Sequence, residues 1–280
     1  MTTRTQTGFI DLSARKRIAA LLDEGSMREL LTPFDRLTSP WLERQGIVPQ
    51  FDDGVVIARG TLDGTAVVVA AIEASFQGGS LGEVGGAKIA GALELALEEN
   101  RRGNPTAAVL LLETGGVRLQ EANLGLAAIA EIQSAIVELR QYQPVIGVIT
   151  GPVGCFGGMS ITAGLCSYLI MTREGRLGLN GPQVIEQEAG VAEYDSRDRA
   201  LIWGLTGGAQ RHTSGLVDAF VEDDVAVVHQ SVTACLSLGV PAEHRSDAIA
   251  TPLARLQQVD TREQIDAASA LQILTQGAAK

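Results

Sequence analysis

The chain has 280 residues, 45% hydrophobic, 4% aromatic and 20% charged, with a formal net charge of -11. That length fills one large core or two smaller ones, and an aliphatic composition with 32 glycines favours an α/β enzyme rich in tight turns over a helical bundle or a disordered chain. The acidic balance excludes a general nucleic-acid binder. No apolar run is long enough to span a bilayer and the opening residues lack a signal-peptide core, so a cytoplasmic protein is expected.

Residues 11–22 predict an amphipathic helix with Ile18, Leu21 and Leu22 on one side, followed by a short helical turn over 27–31. Residues 32–53 carry Pro33, Pro40 and Pro49 and read as an irregular arm, so 1–54 is expected as an entry segment. Residues 55–245 form the main domain and 246–280 a linker with a last helix. Apolar runs at 55–59 and 65–70 flank Asp63-Gly64, a strong hairpin signal. A loop spans 75–82, a helix 83–102 with Ile89, Leu93 and Leu97 on one face, a buried strand 107–112, and a second long helix 119–140.

The centre of the chain is 144–171. Val145, Ile146, Val148 and Ile149 form a β-branched run suited to a parallel strand covered on both faces. Gly151-Pro152 breaks it, and Gly157-Gly158 opens a helix of small residues ahead of a second buried strand. Later come a short strand at 176–179, a helix opened by Gly181-Pro182, the polar run 192–199, a third glycine turn at Gly207-Gly208, a strand at 216–221 and a helix at 224–238. Residues 247–259 read as a linker, and Thr261 with Gln264 as a capping box. Strand–helix repeats of this kind build a parallel sheet with ligands at the carboxyl ends of its strands.

Two Gly-Gly turns, Gly115-Gly116 and Gly157-Gly158, follow consecutive strands at equivalent positions. Glycines at a helix start leave N–H groups pointing outward, where the helix dipole favours negative charge. One reading is an oxyanion hole made by both turns; the other is close helix-on-sheet packing.

Other chemistry is thin. Cys155, Cys166 and Cys235 form no CxxC pair and their odd count argues against a disulfide framework, and no metal site is readable. Cys155 sits beside a glycine turn, but Val153 stands where a nucleophile elbow needs glycine, so a small buried residue is the better reading. His212 is a candidate acid or base or a structural cap. His229 and His244 invite no role, Glu186 and Glu188 are expected to face solvent, and Arg118 reads as a salt-bridge anchor or a substrate ligand. Arg15-Lys16-Arg17, Arg101-Arg102 and the set Arg197, Arg199, Arg211 are local basic clusters able to meet an acidic partner or a phosphate.

Thr114-Gly115-Gly116-Val117-Arg118 with Gln120-Glu121, then Gly151-Pro152 with Phe156-Gly157-Gly158-Met159, then Gly181-Pro182-Gln183-Val184-Ile185, and finally Gly207 through His212 with Ser214 through Asp218 keep one order. With Ala14 through Ile18 and Asp23, Gly25 and Ser26 near the start, they resemble carboxyltransferase subunits of the crotonase-like superfamily, and among those most closely the malonate decarboxylase β subunits. The resemblance runs from about residue 11 to 240. Thr114 and Val117 replace the usual Ser and Ala, which leaves backbone donors untouched. The four-cysteine zinc ribbon of bacterial acetyl-CoA carboxylase has no counterpart, which argues against that enzyme.

The resemblance implies a crotonase-like α/β half that binds the acyl thioester, completed by a second carboxyltransferase subunit, γ in malonate decarboxylase. The substrate it implies is malonyl on an acyl carrier protein, held through a dephospho-CoA-derived prosthetic group. The implied products are the acetyl carrier and carbon dioxide, with no cofactor bound directly, no nucleic acid and no membrane. Catalytic backbone positions are expected at Gly115, Gly116, Val117, Gly157, Gly158 and Met159, and substrate contacts at Arg118, Cys155, Phe156, Gln183 and Tyr194. Tyr194, His212 and water are candidate proton donors to the enolate. The rival readings are a biotin-dependent carboxyltransferase subunit, a single-chain hydratase or isomerase using Glu113 and Glu121, and a non-catalytic acyl-carrier dock.

Overall fold

Among the described residues, seven strands lie in one sheet in strict chain order, so each new segment is laid beside the one before it. The computed structural model describes residues 8–257, 259–260, 262 and 265–275. Helix α1 (Ala14–Leu21) leads into β1 (Arg28–Leu30), which pairs antiparallel with β2 (Val55–Leu62), and β2 pairs antiparallel with β3 (Thr65–Ile72). The β2–β3 turn is the expected two-residue hairpin: Asp63 and Gly64 have φ of 47° and 77°, the left-handed pair that such a turn needs. Asp23, just past α1, clamps it by accepting from the N–H of Asp63 at 2.9 Å and of Gly64 at 3.0 Å.

From β3 onward the sheet is parallel. Helix α2 (Glu83–Arg101) connects β3 to β4 (Ala107–Leu111), α3 (Asn123–Leu139) connects β4 to β5 (Val145–Ile149), and α4 (Gly158–Leu165) connects β5 to β6 (Tyr168–Thr172). Beyond β6 come α5 (Pro182–Ala189), α6 (Arg199–Thr206), α7 (Gly208–Thr213), β7 (Ala219–Val221), α8 (Val225–Leu238), α9 (Ala250–Leu256) and α10 (Ala267–Thr275). Every residue of β4 and β5 is buried, because both sheet faces are covered. On one face Ala108, Leu110 and Leu112 pack with Ile89 and Leu93 of α2 and Ile132 and Ile136 of α3. On the other, Val109 and Leu111 pack with Ile18 and Leu21 of α1 and Val228 and Val232 of α8.

Several expectations are corrected. Residues 27–31 are not a helical turn: the segment is too short to nucleate a helix, and the open edge of β2 offers it a ladder. Over its described residues, 8–54, the expected entry segment packs into the fold: α1 seals one face of the sheet and Asp53 is fully buried. The helix expected over 119–140 is split: Leu119–Glu121 is a single 3-10 turn, and Ala122, at φ 46° and ψ -118°, separates it from α3. Residues 176–179 make only isolated bridges, to Cys155 and Gly207. Helix α6 begins where the polar run ends, over residues to which the sequence assigned no element, and α9 lies inside the expected linker. Asp198 caps α6 by accepting from the Leu201 N–H at 3.0 Å, and α9 is tied to α10 by Arg255 donating to the Leu274 carbonyl at 2.6 Å. The capping box at Thr261 and Gln264 lies outside the described residues. Among the described residues, no helix is long and apolar enough to cross a membrane.

Candidate active site

The two glycine turns meet at the carboxyl ends of the neighbouring strands β4 and β5. In the first, Gly116 has φ of 105°, and the Thr114 hydroxyl accepts its N–H at 3.0 Å. Gly115 donates to the Gly78 carbonyl at 3.0 Å and Arg118 to the Leu81 carbonyl at 2.8 Å. The N–H of Val117 is left with no protein acceptor among the described residues.

The second turn is hydrogen-bonded to the first. Thr114 donates to the Gly154 carbonyl at 2.7 Å, and Phe156 donates to the Thr114 carbonyl at 3.0 Å. On the far side, Cys155 donates to the Arg176 carbonyl at 2.9 Å and Gly157 to the Leu179 carbonyl at 2.7 Å. Gly157 has φ 61° and ψ -146°, a conformation that glycine alone adopts readily. Helix α4 starts at the next residue, so the N–H groups of Gly158 and Met159 have no carbonyl one turn earlier, and no other group among the described residues takes them.

The approach of the turns is as tight as backbone allows. A Cβ built on Gly116 would lie 3.1 Å from the Gly157 Cα, one on Gly157 would lie 3.1 Å from the Gly116 Cα, and the latter would stand 3.8 Å from the Val117 nitrogen. Bare backbone permits this contact, and N–H groups without a protein acceptor stand on both turns beside it. Donors held rigidly at a helix start suit an oxygen that becomes negative during a reaction.

The carboxyl transferase domain pattern matches residues 11–271. The chain belongs to that family. This carboxyl transferase chain is 40% identical over 238 residues to the malonyl-S-ACP:biotin-protein carboxyltransferase MADC of Malonomonas rubra, covering 81% of this chain and 75% of that protein. It is similar to a chain of a Pseudomonas malonate decarboxylase hetero-tetramer solved with malonate, at 68% identity and a TM-score of 0.93 over 96% of this chain and 98% of that one. A chain of the Pseudomonas malonate decarboxylase MdcD-MdcE hetero-dimer matches at 61% identity and a TM-score of 0.76, over 90% of this chain and 97% of that one. The fold is crotonase-like, as the resemblance implied.

In this carboxyl transferase chain the expected backbone positions come together, but their roles separate. The amides of Gly115, Gly116 and Gly157 are used inside the turns, whereas those of Val117, Gly158 and Met159 are not. Arg118, expected at the substrate by the resemblance, lies beneath the first turn at 0% exposure. It pairs with Asp53 at 2.7 Å and Glu121 at 2.9 Å, donates to the Ser80 carbonyl at 3.0 Å, and stacks on Phe76. That is the anchor role read from the residue itself. It also removes Glu121 from the list of candidate acids, because its carboxylate additionally accepts the Glu83 N–H at 2.7 Å.

Cys155 and Phe156 are buried, and act through the backbone bonds that join the turns. Cys155 is fully buried, and burial raises its thiol well above its ordinary value, which disfavours the thiolate that a nucleophile needs. Gln183 is exposed in the first turn of α5. Tyr194 is 9% exposed, and burial pushes its phenol up against the opposing charges of Arg176 and Arg211. His212 is exposed on α7. Glu186, expected in solvent, is partly open to it and also accepts the Ser196 N–H at 2.7 Å.

The basic clusters are largely paired with acidic neighbours, Arg101, Arg102, Arg197 and Arg199 in exposed surface pairs. Arg17 is buried, Arg15 bridges Glu29 and Asp52, Arg101 pairs with Glu138, Arg102 with Glu98, Arg197 with Asp195 and Arg199 with Glu174. Two contributors escaped the sequence reading. Asp53 sits 65 residues from its partner Arg118, a separation that no local pattern reveals. Glu113 was weighed only as a reacting acid, yet it is 1% exposed on the sheet face opposite α2 and α3, and burial raises its carboxyl to about 7. Its one sequence signal is a charge placed directly after a fully apolar strand.

Proposed function

We propose that the chain is the thioester-binding β-type subunit of a biotin-independent malonate decarboxylase, acting with a second carboxyltransferase subunit on malonyl carried by an acyl carrier protein. The observation that carries this reading is the meeting of the two glycine turns with the Val117 N–H of one and the Gly158 and Met159 N–H groups of the other left unclaimed. Loss of carbon dioxide from a malonyl thioester moves charge onto the thioester oxygen as an enolate. The Val117 N–H from one side and the Gly158 N–H, with Met159 beside it, from the other hold that oxygen. Each such donor is worth about 3 kcal/mol in the transition state, so the pair lowers the barrier without an acidic or basic side chain.

The carrier's arm, in this reading a dephospho-CoA-derived prosthetic group, is part of the substrate. Of the expected substrate contacts Gln183 is the exposed one and Tyr194 a buried one, and Tyr194, His212 or water delivers the proton to carbon. The similarity to a malonyl-S-ACP:biotin-protein carboxyltransferase favours a second reading, in which the carboxyl group passes to biotin.

One experiment separates them. The chain purified with its partner subunit is given malonyl carrier protein in the absence of any biotinylated protein, and carbon dioxide release is measured. Release supports the decarboxylase; no release, but carboxylation of a biotinylated acceptor once one is added, supports the transferase; neither outcome leaves both readings without support.

A further inference from the structure

The segment from Thr150 to Val153 carries the chain from β5 into the second glycine turn, and charged groups from three separate elements hold it. Glu113, the residue before Thr114, accepts the Val153 N–H at 3.3 Å, and the N–H groups of Thr150 and Gly151 also face its carboxyl. Arg17 of α1 donates to the Gly151 carbonyl at 3.4 Å. Arg176, after β6, donates to the carbonyls of Pro152 and Val153, the latter at 2.9 Å. Glu113 is the only one of the three that is itself part of the first-turn connection, so it links the lead-in of one turn to the lead-in of the other.

We propose that Glu113 is a positioning residue: as a carboxylate it holds the 150–153 segment, and through it sets the Gly158 N–H against the Val117 N–H. The groups that reach it favour the anion, although burial disfavours it. Everything shown to reach the carboxyl is a donor or a cation, and its Oε1 has no partner among the described residues, so a proton placed there has no acceptor. The charged and titratable groups around it are Arg17 from α1, Arg176 from the loop after β6, and the Cys155 thiol; Glu73, Asp11 and Asp223 face Arg17 from behind. Burial opposes ionisation and the guanidinium of Arg17 favours it, which leaves the group near neutrality. Protonation weakens the grip on the segment, and a misplacement of the order of 1 Å between oxyanion donors costs up to about a hundredfold in rate.

This inference rests on the decarboxylase reading. The test uses the assembled complex with malonyl carrier protein, measuring kcat and KM from about pH 6 to pH 8. For the wild type, kcat rises with pH through about 7. Glu113→Gln is expected to lose that rise, with kcat at pH 8 down about tenfold and KM within about twofold, while Glu113→Asp recovers part of the rate and the pH dependence. Should Glu113→Gln not assemble, Arg176→Met carries the test: removing a neighbouring cation is expected to move the rise to higher pH. A Glu113→Gln complex with the wild-type profile, or an Arg176→Met complex with an unmoved one, overturns the inference. A wild-type complex that releases no carbon dioxide overturns the decarboxylase reading instead.

Discussion

Gly116 and Gly157 occupy each other's side-chain space: a Cβ on either would lie 3.1 Å from the Cα of the other. Each also has a positive φ, 105° and 61°, that an L side chain resists. Alanine at either position therefore meets both a steric and a conformational barrier, and relief requires the turns to part. Gly116→Ala and Gly157→Ala are expected to cut turnover at least about a hundredfold, and to destabilise the fold by roughly 1–3 kcal/mol. Steady-state kinetics with parallel urea unfolding checks this; near-normal turnover in both variants removes the oxyanion assignment.

Gly158 poses a different question, because its φ is helical and its added Cβ would meet only side-chain atoms of Ile129, at 3.2 Å. Gly158→Val is expected to keep the fold and the partner subunit but to lose about a hundredfold or more in kcat, since the branched side chain crowds the N–H. Gel filtration of the complex with a carbon dioxide assay decides it. Retained turnover shows that the Gly158 amide is not used.

Arg118 compensates two buried carboxylates, those of Asp53 and Glu121. Arg118→Met leaves both uncompensated, and is expected to cost roughly 3–5 kcal/mol of stability. If Arg118 touched substrate, its loss would appear in KM with the fold intact; chemical denaturation and kinetics on the same preparation tell the two apart.

The Glu113 carboxyl, raised from 4.5 to about 7, binds its proton more tightly in the folded chain than in the unfolded one. Its contribution is therefore fully present below the unfolded value and is lost as pH rises through the folded one. Unfolding free energy of the wild type is expected to fall by roughly 3 kcal/mol across that window relative to Glu113→Gln, on the order of 1.4 kcal/mol per pH unit. Parallel slopes for the two proteins in urea titrations at several pH values would show that the group is ordinary.

Cys155 is fully buried, and its thiol is held well above the ordinary range. The folded protein is expected to resist iodoacetamide at this residue near neutral pH, with modification only after denaturation. Peptide mass mapping reads the outcome, and rapid native-state labelling would contradict the burial.

The sheet and both glycine turns were legible because their signals are local: an apolar run for β4, a β-branched one for β5, Asp63-Gly64 for the hairpin, paired glycines after each strand. What escaped depends on contacts made at a distance. Residues 28–30 become a strand only because β2 has an open edge, and α9 is held by a carbonyl of α10. The site divides the same way. That two turns would meet could be read from their equivalent positions, but which amides remain unclaimed follows from Gly78, Leu81 and Leu179, residues outside both motifs. Likewise the resemblance placed Arg118 at the substrate, whereas a carboxylate 65 residues away fixes it beneath the turn.

Thr114 is bonded through its N–H to Gly154, through its carbonyl to Phe156 and through its hydroxyl to Gly116. A chain still emerging from the ribosome therefore has only one wall of the corner until the segment that follows β5 has been made and docked. Closing that intervening loop is a non-local event, which comes late and is slow compared with forming either flanking helix. Activity should consequently lag behind helical signal during refolding, and no fragment ending at α3 should retain any.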